Sequence, residues 1–117
     1  MSTPRFGGKT LSNSDGTSEV QSGFGGGASG TRVQTIRVAT GPTTAPGTGI
    51  LTILVHDGTN SFAIAQVTLV NTVNTEVVTL YFPNLTLPST SHSIRLQMRT
   101  AIASGGTAHV TIEGYDY

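Results

Sequence analysis

Three histidines, six Asp and Glu side chains and a scatter of serines are the groups in this 117-residue chain that could do chemistry. His56 stands beside Asp57, His92 follows a Ser/Thr loop, and His109 falls on a strand pattern. A transition metal needs two or three ligands at convergent spacing, and these are scattered. Ser14-Asp15 lies in a glycine-rich stretch, no Gly-x-Ser-x-Gly elbow occurs, and Glu76 and Glu113 are the only acidic residues on strand patterns. Gly-Phe-Gly-Gly-Gly at 23–27 lacks the Gly-Lys-Ser/Thr ending of a phosphate loop. The chain is therefore expected to be neither an enzyme nor a metalloprotein, and no cofactor is expected.

What remains is chemistry of contact. Arg95, Arg99 and Glu113 sit at outward positions of the last two long strand patterns, where pairing would bring them together as a docking face. Tyr115 and Tyr117 close the final strand, and tyrosine suits interfaces because an apolar ring carries a polar tip. Near the other end, Phe6, Leu11, Val20 and Phe24 are isolated apolar residues among glycines and serines, spaced like anchors for a partner's pockets.

Two regions must position these groups. Residues 1–30 show neither a period of 2 nor of 3.6, and they hold eight of the fifteen glycines. Glycine maximises the freedom of the unfolded chain, so this stretch reads as a flexible or partner-ordered N-terminal arm. Residues 31–117 read as a β-sandwich domain. Strands are expected at Arg32–Thr40, Ile50–His56, Phe62–Val70, Glu76–Phe82, Ser93–Thr100 and Ala108–Tyr115, with a short edge piece at Leu85–Leu87 after a break at Pro83. Asp57-Gly58-Thr59-Asn60 is a hairpin signal. No window has helical periodicity. The spacing predicts an all-β, antiparallel β-sandwich or jelly-roll-like fold.

Composition limits the partners. Charged residues make up 10% of the chain, against about 25% in ordinary soluble domains, and the formal net charge is zero. Without a basic stripe, nucleic acid is not an expected partner. The apolar runs Ile50–Val55 and Phe62–Val70 fall far below the ~20 residues of a spanning helix, so no membrane is expected either. No hydrophobic segment of a signal peptide is present at the N-terminus, which points to synthesis in a cytoplasm. With no cysteine to form staples, a body of this size buries only roughly 60–65% of its unfolded surface. Self-association, as a trimer or dimer, is the expected remedy.

The body, from Arg32-Val33-Gln34-Thr35-Ile36 to His109-Val110-Thr111-Ile112-Glu113-Gly114-Tyr115, resembles the small all-β head decoration (cement) proteins of tailed bacteriophages. The likeness lies in a cysteine-free, low-charge, threonine-rich β-domain behind a glycine-rich arm. It implies a virion structural protein on the capsid exterior that binds the major capsid protein and stabilises the shell. Phage tail, fibre or baseplate modules that contact a host surface or glycan share the same look and stay open as the alternative. Tyr81, Tyr115 and Tyr117 are then the candidate sugar platforms.

Overall fold

A computed structural model describes residues 2–117. Eight strands follow one another: β1 (Thr3–Ser12), β2 (Val20–Gly25), β3 (Thr31–Thr40), β4 (Ile50–His56), β5 (Ser61–Thr68), β6 (Glu76–Leu87), β7 (Ser93–Met98) and β8 (Thr107–Asp116). A single 3-10 turn at Asn13–Asp15 is the only helical element among the described residues. The strands form two antiparallel four-stranded sheets, ordered β1-β8-β3-β6 and β2-β7-β4-β5. This is the strand order of a jelly roll. Every connection crosses from one sheet to the other except β4–β5, whose turn is the expected Asp57–Asn60 hairpin.

Alternation explains the core. Ile94, Leu96 and Met98 of β7 point inward, as do Ala108, Val110 and Ile112 of β8, and all are buried. Val33, Ile36, Val38, Leu51 and Ile53 meet them from β3 and β4. The inner faces thus interdigitate into one apolar layer between the sheets.

Residues 3–25 correct the expectation of a free arm. Strand β1 pairs with β8 over its whole length, from Thr3↔Asp116 to Ser12↔Thr107, and β2 pairs with β7. The glycines serve close approach rather than looseness. A Cβ on Gly7 would lie 2.9 Å from the Gly23 carbonyl oxygen, and one on Gly23 would lie 2.9 Å from that of Gly8. Gly23 also has φ +79, a region that side chains disfavour. Here β1 and β2, from opposite sheets, pass backbone against backbone and close one side of the sandwich.

Pro83 also departs from expectation. Strand β6 continues through it to Leu87, because Pro83 falls in a bulge where Val33 pairs with Leu85 and Thr35 with Tyr81. An edge strand tolerates a residue without an N–H at such a bulge.

Candidate interaction surface

The register defines the outer face of the β1-β8-β3-β6 sheet row by row. Phe6, Glu113, Thr35 and Tyr81 form one row across all four strands. Gly8, Thr111, Arg37 and Thr79 form the next. Phe6 and Tyr81 are 71% and 75% exposed and stand on the two edge strands, about 14 Å apart at ordinary strand spacing. Between them lie Thr35, Thr111 and Thr79 together with the longer Arg37 and Glu113. The centre of the face holds one ion pair, Arg37 Nη2 to Glu113 Oε1 at 3.9 Å, and Thr10 Oγ1 lies 3.0 Å from His109 Nδ1. Beside the Tyr81 edge, Arg32, Gln34, Thr35, Tyr81, Phe82 and Pro83 line an open groove of about 560 Å³, left by the bulge.

A polar clamp holds one end of the molecule. Arg5 Nη1 donates to Asp116 Oδ1 at 3.1 Å, to Thr31 Oγ1 at 3.3 Å and to the Gly25 carbonyl. Thr31 donates to Asp116 at 2.5 Å and accepts from the Gly27 N–H at 2.8 Å. The Arg5 guanidinium also lies 4.8 Å from the centroid of the Phe24 ring. The Thr31 hydroxyl, followed by Arg5, holds the Asp116 carboxyl below the usual carboxylate range. Four strands from both sheets meet in this one cluster. Sequence reading missed Arg5 and Asp116, because they meet only through the pairing of β1 with β8.

On the other sheet, Glu19 lies 3.5 Å from Arg95 Nη1 and accepts from the Ser61 hydroxyl. Ser61 Oγ is in turn 2.8 Å from His56 Nδ1. A nucleophile requires the imidazole between hydroxyl and carboxylate. Here the hydroxyl sits between the other two, and the group fastens the segment before β2 onto β4, β5 and β7.

The expected sites scatter. Leu11 and Phe24 are 1% and 2% exposed in the chain's own core, and Val20 packs against it, so these three are not anchors for a neighbour. Only Phe6 of that set faces solvent. The expected docking face of Arg95, Arg99, Glu113, Tyr115 and Tyr117 does not form, because β7 and β8 lie in different sheets. Arg95 pairs with Glu19, Glu113 with Arg37, and Arg99 is exposed beside a groove lined by Thr17 and Gln97. Tyr115 and Tyr117 do meet, edge to face, with ring centroids 5.5 Å apart. The Thr86 hydroxyl, then Arg32 and Tyr115, lowers the Tyr117 phenol from its ordinary pKa.

No protein-family model and no curated protein matches the chain. Among solved structures, it is similar to a chain described as "Cyanophage Pam1 capsid asymmetric unit", with a TM-score of 0.58 and 14% identity. The match covers 99% of this chain and 85% of that one, so the likeness extends over the whole fold, β1 and β2 included.

Proposed function

We propose that this chain is a non-enzymatic structural protein of a phage virion, a decoration protein that docks on the outside of the capsid through the major capsid protein and stabilises the shell. The observation that carries this reading is the end-to-end likeness of its jelly roll to a chain from a cyanophage capsid asymmetric unit. Two further features support it. The β1-β8-β3-β6 sheet offers an outer face with exposed Phe6 and Tyr81 on its two edge strands, and aromatics that become buried on docking commonly anchor interfaces. A small domain without disulfides also gains stability from bound neighbours, as a dimer or trimer or on a lattice. The proposed contacts are Phe6, Tyr81 and the Arg37–Glu113 pair.

The copy number of the chain in gradient-purified particles, measured by quantitative mass spectrometry, tests the reading. Hundreds of copies per particle are expected for a shell-covering protein, and absence from particles refutes the proposal. A handful of copies supports the second reading, a tail or fibre module. The groove at Tyr81 favours that alternative, since an exposed ring beside Arg32 and Gln34 is suited to stack on a sugar and hydrogen-bond its hydroxyls. Binding on a glycan array that is lost in Tyr81→Ala decides for it.

A further inference from the structure

Four strands lie at sheet edges, β1 and β6 in one sheet and β2 and β5 in the other. An edge strand presents unpaired N–H and C=O groups and recruits another strand unless something blocks it. Three of the four carry a charge, a proline or a glycine that hinders it. Strand β1 contains Pro4, Arg5 and Lys9, and β6 contains Glu76 and the Pro83 bulge. Strand β2 is six residues long and breaks register around Gly23. Strand β5 has none of these residues: Ser61-Phe62-Ala63-Ile64-Ala65-Gln66-Val67-Thr68 contains no charge, proline or glycine, and its one irregularity is a single-residue bulge at Ile64. Its side of the sandwich is also the less closed. Phe62 pairs with Val55 on the core side of its sheet yet is 56% exposed, and Val70 and Val73 beyond the strand are exposed as well.

We infer that β5 is a self-association edge, on which a second copy of this chain docks β5 against β5 about a two-fold axis. Two details favour a second copy over another partner. A second copy of β5 brings no charge, so pairing the two uncharged edges leaves no charged side chain of either strand to be desolvated in the seam. The register also fits. Ile64 is the extra residue of a bulge between Ala63 and Ala65, which sets Phe62, Ala65 and Val67 on the core side. Antiparallel pairing centred between Ile64 and Ala65 then opposes Phe62 to Val67 on the inner face and Ala63 to Gln66 on the outer.

Area sets the strength. A strand of eight residues spans about 26 Å, and across the 19 Å thickness of the molecule it offers roughly 500 Å². That lies below the ~800 Å² per partner of a standard interface and above most lattice contacts. An interface of that size belongs with weak, concentration-dependent association rather than with an obligate dimer. This deepens the self-association part of the proposed function and does not depend on the capsid part, since the isolated protein tests it without particles.

Sedimentation equilibrium of the full chain over about 1–300 μM is the experiment. A monomer–dimer equilibrium is expected, weakened at least ~10-fold by Ala63→Lys and unchanged by Thr10→Lys on the blocked edge β1. Ala63 is exposed, and a thermal melt verifies that the variant folds. Amide exchange provides a second readout, with β5 protection rising as concentration rises. A monomer throughout, a closed trimer, or a dimer indifferent to Ala63→Lys overturns the inference.

Discussion

Asp116 is the acidic end of the clamp that ties the last strand to the first and third. Its carboxylate receives Thr31 and Arg5, and its pKa lies below the ordinary value for that reason. A carboxyl that ionises more easily in the folded chain adds its full stability above the unfolded value, near pH ~3.9. That contribution is lost as pH falls through the lowered folded value. Asp116→Asn should therefore lower stability at neutral pH and show a shallower acid limb than the parent, read by urea unfolding between about pH 2 and pH 7. Some slope should persist, because the Asn60 and Thr59 backbone N–H groups lower the Asp57 pKa in the same direction. Neither partner of the clamp was legible in the sequence. Arg5 and Asp116 are joined only by the pairing of the first strand with the last, which no local pattern encodes.

At the scale of elements, β1 is where composition and fold disagree. A flexible arm could be cut away without harm, whereas β1 carries Leu11 into the core and covers the edge of β8. Deleting residues 1–12 should abolish cooperative unfolding. Leu11→Ala should cost about 2–5 kcal/mol and lower the melting temperature by calorimetry, a large part of the ~5–15 kcal/mol that holds a domain. The strands of the body were legible because β-branched and leucine side chains alternate with polar ones, as in Ile94, Leu96 and Met98. In β1 and β2 the alternating position is filled by Gly7 and Gly23, whose role is to let two backbones touch. That role leaves no hydrophobic signature. Likewise Arg95 and Glu113 look like neighbours in sequence order, and the crossover from β7 to β8 separates them onto opposite sheets.

Taken whole, the molecule has one sheet whose outer face carries two bare aromatics, Phe6 and Tyr81. Replacing Phe6 and Tyr81 together with serine should leave the melting temperature nearly unchanged, since exposed substitutions stay within about 0.5 kcal/mol each. Occupancy on purified capsids, measured by co-sedimentation, should fall at least ~10-fold if these rings anchor the face. Unchanged occupancy removes that face from the docking surface. The pairing of Thr3 with Asp116 also has a mechanical side. Tension applied between the two chain ends acts at the open mouth of an antiparallel pair, so it peels β1 from β8 one rung at a time. Such peeling yields at low force, because no two rungs share the load. A domain built this way is weak as a tether pulled by its ends and strong as a tile loaded through its faces, where all rungs of a sheet bear together.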